Sequence, residues 1–140
     1  MLELQNDYLL ELASQISFLS AFMGGFSATF LATLLVADST HRIGNYAAGS
    51  AAVSASAFIV AVLSMVSIIA ATHPHAPSGV DMGVNVARLV GFGAFVLGTS
   101  SLLISVGLSG WLRSNSLGIF TSMVSFLCLI LVTWALLGFS

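Results

Sequence analysis

Residues 16 to 36 read ISFLSAFMGGFSATFLATLLV, with neither a charge nor a proline. As a helix rising 1.5 Å per residue the segment is about 31 Å long, the thickness of a bilayer's hydrocarbon core. Its side chains are sorted by size. At 100° per residue, with Ser17 at zero, Ser17, Ser20, Ala21, Gly24, Gly25, Ala28 and Ala32 fall between about 300° and 80°. Phe18, Leu19, Phe22, Met23, Phe26 and Phe30 fall between about 100° and 240°. One face is flat and the other is a phenylalanine ridge. Because lipid tails are as apolar as leucine, spans associate by close packing, and flat faces are where backbones approach. Leu31 and Leu35 interrupt the pattern, so the flat face serves mainly the first four turns.

Outward from this stretch, every charged residue lies outside four uncharged runs, Ile16–Val36, Ala47–Ala71, Leu89–Leu108 and Leu117–Phe139. Hydrophobic residues make up 58% of the chain and charged ones 6%, where a soluble domain carries about 25% charge. None of the four runs has the polar face a soluble bundle requires. The expected fold class is therefore an all-α integral membrane protein: one domain, residues 1–140, of four transmembrane helices. Residues 1–15 form an amphipathic helix, with Glu3, Asp7, Glu11 and Ser14 on one side and Leu2, Leu9, Leu12 and Ala13 on the other. With no glycine or proline between, that helix is an N-terminal extension of the first span. Acidic residues stand where a secretory signal would be basic, so no signal peptide is expected.

A net charge of −2 with no lysine leaves no basic patch for nucleic acid. Cys128, the single cysteine, lies among apolar neighbours as a small hydrophobe. Ala37–Tyr46 (ADSTHRIGNY) reads as a polar turn. Thr72–Asp81 (THPHAPSGVD) holds both prolines, and Gly110–Ser116 forms the last loop, with Ser114, Asn115 and Ser116 all suited to capping the fourth helix. The second run opens with small residues and turns bulky from Phe58, which predicts close packing near its start and looser packing near its end. The third run pairs Ala87 with Gly91 and Ala94 with Gly98, a second candidate packing surface. Arg88 stands at its entrance, where a long side chain reaches the headgroups. Arg42 and Arg113 on one side, against Arg88 on the other, put those two loops in the cytoplasm.

Four groups of residues suggest chemistry. Glu3, Asp7 and Glu11, at i, i+4 and i+8, would concentrate cations at a pore mouth in a ring of identical subunits, or form the solvated face of an interfacial helix. Thr29 and Thr33 border the flat face and would line an uncharged pore, or bond to their own backbone within a packing interface. His73 and His75, with Asp81 nearby, form an H-x-H pattern able to hold a transition metal, or a solvated loop. Asp38, His41 and Arg42 form either a conduction site or ordinary loop polarity. No G-x-S-x-G, phosphate loop or intramembrane carboxylate is present, so neither an enzyme nor a cofactor is expected.

The order of spans and the stretch LSAFMGGFSATFLATLLVAD, with Leu19, Ser20 and Phe22 as its LS-x-F, resemble Orai-type calcium-channel subunits. That resemblance implies an oligomer with the first helix innermost, extended beyond the membrane and followed by acidic residues, here Asp38. The family's pore glutamate has no counterpart, with Thr29 or Thr33 nearest, and its basic extension is acidic here. The expected partners are the lipid bilayer and either further copies of the chain or a larger membrane complex. The expected function is a small ion-conducting assembly cored by the first helix. The alternative is a non-catalytic accessory subunit. Small size and short loops suit a multi-pass protein of a bacterial inner membrane.

Overall fold

A computed structural model describes residues 2–36, 42–71 and 81–137, with side chains described over 8–36, 42–71 and 84–134. Among the described residues the elements are α1 (Leu2–Val36), α2 (Arg42–Ala71), α3 (Asp81–Ser109), a 3-10 turn (Gly110–Leu112) and α4 (Asn115–Leu137). Four segments of these helices are long and apolar enough to cross a membrane: Tyr8–Val36, Arg42–Ala71, Val84–Leu112 and Asn115–Trp134. The chain is thus an all-helical, multi-pass membrane protein. A helix satisfies its own backbone, so an apolar span needs no further polar partner in hydrocarbon.

The helices outrun the uncharged stretches. α1 is continuous from Leu2, and at 35 residues it is about 52 Å long. Arg42–Tyr46, expected to finish a turn, is the first turn of α2 instead. α3 begins at Asp81, so Arg88 lies two turns inside a helix. The last loop also contracts, since Gly110–Leu112 is a 3-10 turn and α4 starts at Asn115. The physical reason is common to all four. An uncharged run measures the hydrocarbon, whereas a helix continues into the headgroup layer, where charged side chains reach water.

The chain divides into two compact units, 1–26 with 55–98, and 27–54 with 99–140. In the first, Ala13 of α1 packs with Met65 and Ile68 of α2, flanked by Ile16, Ile69, Val84 and Ala87. Phe58 is fully buried. Its ring lies 3.1–3.2 Å from where a Cβ on Gly98 would be, and its own Cβ is 3.2 Å from the corresponding point on Gly24. Phe95 meets the ring edge-on at 6.1 Å between centroids, a favoured aromatic geometry. Glycines on α1 and α3 thus make the space that one phenylalanine on α2 fills. Met65 is received the same way, its Cε 2.7 Å and Ser64 Cβ 3.0 Å from a Cβ position on Gly91. Burial on α2 therefore continues to Met65 and Ile68. The expected loosening toward its end is absent because the large side chains there face glycine and alanine.

In the second unit Ala47, Ala51 and Leu102 are buried, and hydrogen bonds join the helices as well. Ser27 and Ser54, both fully buried, share a hydrogen bond of 2.8 Å. Ser105 Oγ donates to the Ala47 carbonyl at 2.7 Å, and Ser50 Oγ donates to the same oxygen at 3.0 Å. α3 and α4 form a hairpin. Ser114 is the cap of α4, its Oγ accepting the Leu117 amide at 3.2 Å. Trp111 Nε1 donates to Ser122 Oγ at 3.0 Å, and Ser122 Oγ donates to the Gly107 carbonyl at 3.4 Å. Thr121 Oγ1 has the carbonyls of Leu117 (2.9 Å), Gly107 (3.2 Å) and Gly118 (3.2 Å) within reach. Gly110 is required at this turn, because a Cβ there would lie 2.8 Å from the Leu117 carbonyl oxygen and against Thr121.

Candidate functional site

The first helix places small residues on two different edges. Ala13, Ser20 and Ser27 recur every seven residues and are buried, with Ile16, Ser17, Met23, Gly24, Phe30, Leu31 and Leu34 half-buried around them. On the helical wheel this inward face is centred near 290°. Seven-residue spacing is the signature of a seam between helices wound in a left-handed sense. α2 shows the same spacing, with Gly44, Ala51, Phe58 and Met65 interleaved with Ala47, Ser54, Ala61 and Ile68, all buried. The flat face of α1 is centred near 10°, so only one border of it faces the rest of the chain.

The other border stays open. Ala21, Gly25, Ala28 and Ala32 are exposed, and a Cβ on Gly25 would meet nothing within 4 Å. Their spacing of four, three and four residues is that of a second seam. Beside it stand Phe18 (73% exposed), Phe22 (69%) and Phe26 (53%). The size sorting of α1 therefore resolves into a buried serine edge, an open alanine–glycine edge and an outward phenylalanine ridge. Of the candidate packing residues, Ser20 is buried and Ser17 and Gly24 half-buried, while on α3 Ala94 is half-buried and Gly98 buried under Phe58.

Of the candidate pore residues, Thr29 and Thr33 are exposed, and Thr33 Oγ1 donates to the Phe30 carbonyl at 2.7 Å. Glu11 is exposed. The side chains of Glu3, Asp7, Asp38, His73 and His75 lie outside the described residues. Among the described residues no three His, Cys, Asp or Glu side chains are grouped to hold a metal ion. Cys128 is half-buried.

Ser27, Ser54, Ser105 and Phe58 escaped the sequence reading. The seven-residue recurrence, along α1 for Ser27 and along α2 for Ser54 and Phe58, is the signal that could have found three of them. Ser20 differs from its neighbour one heptad on, since its Oγ is buried and makes no hydrogen bond among the described residues. A hidden hydroxyl without a partner costs about 1–3 kcal/mol.

The fold and these edges define an integral membrane protein of four apolar helices. Comparison with protein-family models, with curated proteins and with solved structures returns no match for this chain.

Proposed function

We propose that this chain assembles with further copies of itself in the bilayer through the open edge of α1, forming a small ion-conducting assembly with α1 innermost. One observation carries the reading. Ala21, Gly25, Ala28 and Ala32 repeat a helix–helix seam whose side chains stay exposed among the described residues, and such small-residue seams are where spans approach most closely. The arrangement is the one that the likeness to Orai-type subunits implies. Glu3, Asp7 and Glu11 would then ring one mouth and raise the local cation concentration. The compact plan suits a bacterial inner membrane, and no catalytic step belongs to this reading.

A second reading is favoured by Thr33. Its hydroxyl bonds to its own helix, which suits a dry packing edge better than a wet one. On that reading the chain is a non-catalytic accessory subunit whose open edge lies against a different membrane protein.

Mass measured in mild detergent separates the two. A homo-oligomer is expected, and a monomer purified without a partner overturns the assembly. In liposomes the assembly should pass cations, and Glu3→Gln, Asp7→Gln and Glu11→Gln together should weaken the cation preference. An unchanged preference removes the acidic residues from the mechanism.

A further inference from the structure

The first unit contains a cavity of about 560 Å³ that the assembly does not use. Its walls are apolar, formed by Leu12 and Ile16 of α1, Ile68 of α2 and Phe92 of α3, among others. Two polar side chains, Asn85 and Arg88, complete the lining, both from α3 and both exposed. Arg88 carries the single charge among the lining residues. Neither side chain is paired with another among the described residues. Glu11, next to Leu12 in sequence, is exposed and forms no part of the lining.

Arg88 is also the last charged residue before the uncharged run Leu89–Leu108. The guanidinium therefore sits where hydrocarbon gives way to headgroups, and the walls formed by Ile16, Met65 and Phe92 lie on the hydrocarbon side. A concave apolar volume of this size is that of a small-molecule site. A planar, permanently charged donor fork at its rim matches a phosphate or carboxylate, and Asn85 one helical turn away adds a second donor. An acyl chain alone would need no arginine, and a free anion would need no apolar walls.

We propose that this cavity is a binding site for one anionic phospholipid, its phosphate held at Arg88 and Asn85 and one acyl chain lying in the apolar groove. A bilayer lipid is the occupant that arrives with its charge at the depth of Arg88 and its chain at the depth of Ile16 and Met65.

The test uses the full chain in detergent micelles, with retained lipid read by native mass spectrometry. Probes are phosphatidylglycerol, phosphatidylcholine of the same chains, oleate and inorganic phosphate. Phosphatidylglycerol should be retained in preference to phosphatidylcholine. Arg88→Gln should reduce that preference about fivefold, the weight of one arginine at an anionic surface, while Arg113→Gln should leave it intact. Leu12→Trp, which fills the groove and spares the charge, should reduce retention of both phospholipids. Equal retention of the two lipids, or a preference that survives Arg88→Gln, overturns the proposal. So does equal loss in Arg113→Gln, or retention unchanged in Leu12→Trp. Displacement of phosphatidylglycerol by an equal concentration of oleate makes the site one for free fatty acid, and displacement by phosphate alone makes it a headgroup site. Either result overturns the assignment to a bilayer phospholipid.

Discussion

Truncating Phe58 to alanine tests how the first unit is held together. In a soluble core the loss of a buried phenylalanine costs about 3–5 kcal/mol, part from transfer to water and part from the cavity left behind. In a bilayer or micelle the first part shrinks, because the unfolded helix exposes the ring to acyl chains rather than water. What survives is the vacated volume, and roughly 100 Å³ of lost ring at ~24 cal/mol per Å³ gives roughly 2–2.5 kcal/mol. The loss falls on one side. Phe58 meets Gly24 through its Cβ, which alanine keeps, and Gly98 through its ring, which alanine lacks. The contact with α3 should therefore suffer while the contact with α1 persists. Gly98→Leu in the native background drives side-chain atoms into a ring already 3.1 Å from the Cβ position, costing about 1–3 kcal/mol. In the Phe58→Ala background the same leucine enters the vacated space. Unfolding curves of the four proteins in mixed micelles, followed by circular dichroism, form a double-mutant cycle. The double variant should be more stable than either single one. If Phe58→Ala lies within about 0.5 kcal/mol of the native chain, and Gly98→Leu is equally harmful in both backgrounds, the reasoning fails.

Three further outcomes are expected. Gly25→Leu should break up the proposed oligomer, seen as a fall in mass by light scattering, without moving the unfolding curve of the single chain, whereas Phe26→Leu should leave the mass unchanged; equal effects would place the contact on the ridge. Ser27→Ala should cost about 0.6–1.7 kcal/mol, the range for interhelical hydrogen bonds in a membrane, whereas Ser20→Ala should be neutral or stabilising, because that hydroxyl is buried without a partner; unfolding that ranks the two in the reverse order contradicts this. Ser114→Ala should cost about 1 kcal/mol through the lost cap, and Gly110→Ala should cost more, since its Cβ meets a backbone oxygen at 2.8 Å; thermal melts that find Gly110→Ala the milder change would refute the account of the turn.

Four spans could be read in the sequence because charge is costly in hydrocarbon, so uncharged runs mark where the chain crosses. Their helical ends could not, since Arg42 and Asp81 are compatible with either a loop or the interfacial turn of a helix. On α1 the size sorting showed that a backbone could come close, but not whether the approach is within a chain or between chains. Ser20 and Ala21 are adjacent and similar in size, yet one is buried and the other exposed. What separates the two edges is the partner, as Ser27 shows by meeting Ser54. Phe58 was hidden for the opposite reason. A large residue after a run of small ones looks like the start of a loose segment until Gly24 and Gly98 are known to face it. The candidate residues of the mouth, Glu3 and Asp7, rest on sequence spacing alone.

The hairpin of α3 and α4 also bears on how the chain is made. Its bonds join residues only 11, 14 and 15 positions apart, so closing it carries little loop entropy. The Ser27–Ser54 and Ser105–Ala47 bonds span 27 and 58 positions and must wait for more distant helices to meet. The last two spans can therefore enter the bilayer as a preformed pair, leaving the longer-range serine contacts to be completed afterwards.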